Sequence, residues 1–378
     1  MREHWLLDDS VHFLNHGSFG ATPRVVLEKQ RELQTRMERN PLRFLDRELE
    51  PLLDETRAKL GAFIGAKPEG LAFVTNATSG VNAVVRSLDF APGDELLTTS
   101  HAYNACANVL RYVASRTGAN VVVADVPFPV SSAREIHDAV MARVTPRTKL
   151  VLLDHITSPT ALIFPVAELV RELEGRGIPV VIDAAHAPGQ TPMNLDAIGA
   201  SFTTGNLHKW LCAPKGAAFL HVREDWRDRI HPNVISHGLN SKRTDRSRFQ
   251  QQFDWCGTFD PSAILSVPTA MELQSSLLGS WDALMKRNHD EVLKVRDQLL
   301  EIVPQPVPPS ELIGSMASIE IPGDPRALGE RLTSEFNIEI PVFSFGGRAL
   351  LRVSMQRYVR DSDIDALLSA LRAIVRAP

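Results

Sequence analysis

The chain has 378 residues, 44% of them hydrophobic and 23% charged, with a formal net charge of −4. That length carries two domains and a large core, and the weakly acidic balance gives no footprint for nucleic acid or for an anionic membrane as partner. Three cysteines, Cys106, Cys212 and Cys256, are too few and too scattered for a disulfide framework. They point to reduced thiols in a cytoplasmic protein. No apolar run approaches the roughly 20 residues that span a bilayer, and Met1-Arg2-Glu3-His4-Trp5 opens without an apolar signal core.

Residues 1–20 read as an irregular lead-in. Thr22-Pro23 is a helix start, with a hydroxyl before a proline, and a second helix follows Asn40-Pro41 with an apolar stripe from Leu45 to Ile64. Seven strands are expected at 71–75, 95–99, 120–126, 149–155, 179–184, 201–205 and 217–222. Helices are expected near 78–88, 103–116, 132–143 and 165–176. The alternation implies right-handed crossovers and a mostly parallel sheet covered on both faces. The last two strands have no helix between them, so one of them is expected to run antiparallel. Residues 241–256 are polar and aperiodic, which predicts a solvated loop or, alternatively, a loop reaching toward a partner subunit. A smaller α+β domain follows, with long helices at 264–279 and 281–302, strands at 316–321, 338–342 and 349–353, and helices near 325–335 and 361–376. The expected division is a large domain over 16–258 and a small one over 259–378, joined by segment 1–15.

One stretch organises the rest. Ile178 to Ala184 is a short, β-branched apolar run that stops on Asp183, as strands buried on both faces do. Asp183 thus falls at the carboxyl end of a central strand, where open α/β sheets place ligands. The next β-like run ends in His208-Lys209. An acid at one strand end and a lysine at the following one fit a pyridoxal 5′-phosphate site, with Lys209 forming the Schiff base and Asp183 keeping the pyridine nitrogen protonated. Asn76-Ala77-Thr78-Ser79-Gly80 opens a helix after the first strand, and its free amides and hydroxyls suit a phosphate. There is no Gly-x-Gly-x-x-Gly for a dinucleotide and no cluster with metal-ligand spacing, so no metal is expected.

Asn15-His16-Gly17-Ser18-Phe19-Gly20, Ser158-Pro159-Thr160, Asp183-Ala184-Ala185-His186-Ala187-Pro188-Gly189, His208-Lys209-Trp210 and Gly257-Thr258 occur in that order along nearly the whole chain. Together they resemble the class V aminotransferase-fold enzymes of pyridoxal phosphate fold type I, and within them the isopenicillin N epimerase-like proteins. The resemblance implies a seven-stranded sheet with one reversed strand and places Ser158, His208 and Ala77, Thr78 and Ser79 among the cofactor contacts. It also implies that His186 meets the phenolic oxygen, that Tyr103 or His101 stacks on the pyridine face, and that Arg352 grips a substrate α-carboxylate. Asn15 and His16 would lie at the entrance. Asn206 stands where the family often has Ser, and an asparagine amide still donates to phosphate. Gly257-Thr258 would reach the phosphate of a neighbouring subunit, implying a homodimer with shared sites.

The expected activity is on the α-carbon of an amino-acid substrate, with Lys209 as proton shuttle, Asp183 as electron-sink partner and Tyr103 able to pass protons. Epimerisation is the leading outcome; C–S β-elimination and transamination are the alternatives on the same fold. Residues 341–348 contain no cysteine, which opposes a persulfide-forming desulfurase. No DNA-binding segment precedes Asn15, which opposes a regulator.

Overall fold

Seven strands form the central sheet of the computed structural model, which describes residues 1–376. They are β1 (Leu71–Val74), β2 (Glu95–Thr99), β3 (Asn120–Ala124), β4 (Thr148–Asp154), β5 (Val180–Asp183), β6 (Phe202–Asn206) and β7 (Ala218–Val222). Their spatial order is β1-β7-β6-β5-β4-β2-β3, and every pairing is parallel except those of β7. The reversed strand is the last of the seven, as its helix-free connection requires. Val180, Val181 and Ile182 are wholly buried, because helices cover both faces of β5.

The longer helices are α1 (Arg24–Arg39), α2 (Leu49–Ile64), α3 (Ala77–Ser87), α4 (Asn104–Thr117), α5 (Ala133–Met141), α6 (Val166–Gly175), α7 (Val267–Leu278), α8 (Trp281–Leu300), α9 (Pro325–Phe336) and α10 (Asp361–Arg376). Asn76 starts α3 by accepting the Ser79 amide on its side chain at 2.8 Å. Gly80 lets that helix press onto β6, since a Cβ there would lie 2.1 Å from Thr204 Oγ1. The close approach delivers the amino end of α3 to the carboxyl edge of the sheet.

A second sheet, β8 (Met316–Glu320), β9 (Val342–Phe345) and β10 (Arg348–Ser354), is antiparallel in the order β9-β10-β8. Its core takes in Trp5, Leu14 and residues of α8, α9 and α10, so the lead-in is part of this body. Ile338–Glu339 was expected to run on to Val342. It instead pairs parallel with His12–Phe13, while Val342 starts the separate strand β9. Residues of α7 and of Ser262–Leu265 pack with α1 and α2 beside the large sheet.

The polar run at 241–256 also departs from the expectation of a loop. Arg248–Asp254 is helical, capped by Ser247 and buried through Phe249, Gln252, Phe253 and Asp254. Arg243 and Arg246 reach Glu50 and Asp54 of α2. Charge pairing across the chain, absent from any local periodicity, orders this segment.

Candidate active site

The carboxyl ends of β4, β5 and β6, the start of α3 and the Ser18-Phe19 turn enclose a cleft of about 640 Å3. Asp183, His186, Lys209, Asn206, His208, Ser158, Tyr103, Ala77, Thr78 and Ser79 all line it. These residues converge on one place from five separate segments.

Lys209 stands almost fully enclosed. Its Nζ lies 3.1 Å from His186 Nε2, and no carboxylate among the described residues makes an ion pair with it. Burial, reinforced by the Arg352 charge, lowers its ammonium to about 8, which puts a neutral nucleophilic amine within reach at moderate pH. Trp210 Nε1 donates to His186 Nδ1 at 3.4 Å, leaving Nε2 as the ring's face toward Lys209. Burial holds His186 well below the usual imidazole range, so the ring is neutral.

Asp183 is 3% exposed. Its Oδ1 accepts the Ala185 amide at 2.9 Å. Burial raises its carboxyl, while the Cys106 thiol, the Ala185 amide and Lys209 oppose that rise. At the amino end of α3, the Ala77 amide donates to Asn206 Oδ1 at 2.8 Å, which orients the Asn206 side chain along the cleft wall. Asn76 occupies the Ser79 and Gly80 amides. The Thr78 amide has no protein acceptor among the described residues, and Thr78 lines the cleft.

Arg352 lies on β10 against the same cleft and is 1% exposed. Its guanidinium donates to the Ser158 carbonyl at 2.6 Å and to Ser158 Oγ and Ser18 Oγ at 3.2 and 3.3 Å. Phe343 stacks beneath it, 5.0 Å from ring centroid to Cζ. Burial lowers even this cation to about 10. No acid neutralises it among the described residues.

Six expected residues are not part of the cleft's lining: His16, Asn15 and His101, Arg352, which bonds Ser158 and Ser18 of the wall, and Gly257 and Thr258, which line a groove beside it. His16 is wholly buried, with Nδ1 2.9 Å from Tyr358 Oη and Nε2 3.0 Å from the Lys209 carbonyl. It clamps the lysine's backbone and has no nitrogen left for a substrate. Asn15 turns its Oδ1 into a buried position with no hydrogen-bond partner. The entrance is made instead by Ser18 and by Phe19, which is 71% exposed. Gly20, at φ +68°, lets this segment cross over His208, whose carbonyl would lie 2.0 Å from a Cβ there. His101 is buried among Phe128, Phe164 and Phe345, and its nitrogens meet Thr160 Oγ1 and the Val126 carbonyl at 2.7 and 2.9 Å. Tyr103, 46% exposed, is the aromatic ring of this turn that reaches the cleft.

Gly257 and Thr258 line a neighbouring groove that shares Thr75, Ser79, Lys215 and Gly216 with the cleft. Sequence reasoning missed Asp154, Lys215, Ser18 and Phe19. Asp154 ends β4 as Asp183 ends β5, so its position at a strand end was a usable signal; Ser18 and Phe19 lay within the Asn15–Gly20 motif, and Lys215 had no signal.

The donor set fits a phosphorylated aromatic aldehyde. An amine lacks an acid partner, a carboxylate backs the cleft, and a helix start carries an open amide and hydroxyls. The sheet, with its cleft at the carboxyl edge, defines a fold type I enzyme. A family model for Aminotransferase class-V matches residues 13–367. The chain belongs to that family, and its cofactor is pyridoxal 5′-phosphate. Isopenicillin N epimerase of Amycolatopsis lactamdurans is 34% identical over 99% of this chain and 97% of its own length. A probable chloroplastic L-cysteine desulfhydrase of Arabidopsis thaliana is 31% identical over 96% of this chain and 82% of its own. A solved C-DES mutant with glycine covalently linked to its PLP cofactor has the same fold, with a TM-score of 0.86 over 98% of this chain and 99% of that one, at 19% identity. Among the described residues no helix is long and apolar enough to cross a membrane.

Proposed function

We propose that the protein inverts the α-carbon of an amino acid or of an amino-acid-containing substrate, as an epimerase or racemase. The observation that carries this reading is topological. Lys209 follows β6 and Tyr103 follows β2, and β5 with Asp183 lies between those strands in the sheet. A proton can therefore leave on one flank of the cleft and return on the other. Bound pyridoxal phosphate supplies the electron sink that makes the α-hydrogen acidic. Arg352 holds the substrate carboxylate through its fork. Lys209 takes the α-proton, a role suited to an amine near neutral pKa. Tyr103 returns a proton from the other flank. His186 orients the lysine nitrogen, and Asp183 keeps the pyridine nitrogen charged. Thr78, Ser79 and Asn206 take the phosphate.

A C–S β-lyase is the second reading, favoured by the similarity to the desulfhydrase. Both begin with Lys209 removing the α-proton. They differ in whether the α-carbon is then reprotonated or the neighbouring C–S bond breaks. The deciding experiment offers single enantiomers of an amino-acid panel, cysteine included, in deuterated water. Epimerisation gives α-deuteration with loss of optical purity and no sulfide. Release of sulfide with a keto acid, at a rate matching α-deuteration, would replace the first reading by the second; accumulation of keto acid with the cofactor converted to its amine form would point to transamination. Tyr103→Phe sharpens the test, since exchange should persist with retained configuration while inversion is lost.

The Gly257-Thr258 groove supports a homodimer in which this pair serves the partner's phosphate. Mixing two inactive variants, Lys209→Ala and Thr258→Ala, should then restore activity in up to about half of the sites of each mixed dimer. No restoration despite proven subunit exchange would assign Thr258 to its own subunit.

A further inference from the structure

Asp183 is gripped from a second side that the proposed mechanism does not use. Its Oδ2 accepts the Cys106 thiol at 3.1 Å. Cys106 lies in the first turn of α4 and is 1% exposed. Beside it, Asp154 on β4 is the direct register partner of Asp183 on β5, so the two carboxyls project on the same face of the sheet. Both are 3% exposed and both line the cleft. The donors are unequal. Asp183 takes the thiol and the Ala185 amide, while Asp154 takes the Tyr103 amide alone, at 3.3 Å.

Two buried carboxyls this close do not both ionise at ordinary cost. Burial and the Asp183 charge push Asp154 well above the usual carboxyl range. Burial and the same charge push the Cys106 thiol up, so it stays protonated and remains a donor. The other titratable groups at this point are Lys209, whose charge favours ionised Asp183, and the neutral ring of His186, beside Lys209.

We propose that Cys106 is a positioning residue whose thiol fixes Asp183 as the ionised member of the Asp154/Asp183 pair, leaving the shared proton on Asp154. The arrangement gains its use from the reading that Asp183 faces the pyridine nitrogen, because a neutral Asp183 could not hold that nitrogen protonated. No bond is made or broken; one proton is allotted.

The thiol's own stretching vibration tests this without cofactor, in an infrared window where proteins are otherwise nearly transparent. The wild-type minus Cys106→Ala difference should show a Cys106 band shifted to low frequency by a strong acceptor. Asp183→Asn should move that band up. The loaded enzyme gives a second readout, the pH titration of its visible absorbance. Cys106→Ala should displace that titration by about one pH unit, the size expected for losing a hydrogen bond to a charged group. Cys106→Ser, which keeps a donor and the side-chain size, should restore it to within about a third of the shift. A Cys106 band at the position of a free thiol would overturn the inference. So would an unshifted titration in Cys106→Ala, or equal shifts in the Ala and Ser variants. A wild-type protein that takes up no pyridoxal phosphate yet shows the low-frequency band would overturn the functional reading and leave the thiol–carboxylate bond standing.

Discussion

Two clusters of charge in this molecule, each built on a buried arginine, follow opposite rules. In one, Arg57 is 1% exposed and bonds Asp54 and, at 2.5 Å, Asp254; Arg246 bonds the same two acids at 2.6 and 3.0 Å. In the other, Arg352 is equally buried and bonds only hydroxyls and a carbonyl, and Lys209 meets only a neutral imidazole. A buried charge is costly unless paired. The first cluster closes on itself and anchors the segment leading to Gly257. The second leaves two basic groups without a direct ion pair around one cleft, and a carboxylate substrate and an aldehyde cofactor are the partners that suit them.

Mutations in the two clusters should therefore damage different properties. The largest effect is expected for Lys209→Ala, which should lower α-proton exchange by at least about 10³-fold, since general base and nucleophile are lost together. Its melting temperature without cofactor should not fall, because the amine it removes has no acid partner. Asp254→Ala should do the reverse. It removes the buried acid that Arg57 and Arg246 share and leaves both on the half-exposed Asp54, and chemical denaturation should show a loss of about 3 kcal/mol. Comparable unfolding curves for these two variants would erase the contrast between the clusters.

Arg352→Met comes next. The KM for a carboxylate substrate should rise about 10- to 100-fold, the worth of a charge-assisted fork. Stability without ligand should hold or rise, as replacing an uncompensated buried cation by an apolar side chain allows. A loss of stability on the scale of Asp254→Ala would show that Arg352 serves the fold.

The smallest effect is in pH. Lys209 falls to about 8 in the folded chain from 10.5. Between those values the unfolded chain binds more protons at this site, so its contribution to stability rises with pH. Wild type should therefore gain about 1 kcal/mol relative to Lys209→Ala between pH 8 and pH 9, read from denaturation of the cofactor-free proteins. A constant difference over that interval would mean that the amine is not depressed.

The sheet was legible because each strand is a short apolar run with a helix behind it, and even the reversed strand followed from a short connection. Asp183 and Lys209 were legible because a strand end fixes where a residue sits. His16 and Asn15 were expected at the entrance, and His101 as the alternative to Tyr103, by resemblance to the family's motifs. A motif does not tell which way a side chain turns, and here both rings and the Asn15 Oδ1 turn into the body of the protein. Cys106 and Lys215 meet the site only through the packing of the chain, whereas Asp154 was marked by its strand end and Phe19 by the Asn15–Gly20 motif. The Arg57–Asp254–Arg246 cluster joins residues nearly 200 positions apart, a pairing that no local pattern signals.

The central claim is that Lys209 carries the cofactor. Cofactor-free protein incubated with pyridoxal phosphate should turn yellow, and borohydride followed by proteolysis and mass spectrometry should find one reduced adduct per chain, on Lys209. A wild-type protein that stays colourless, or an adduct on Lys215 or another lysine with Lys209 unmodified, would contradict the account.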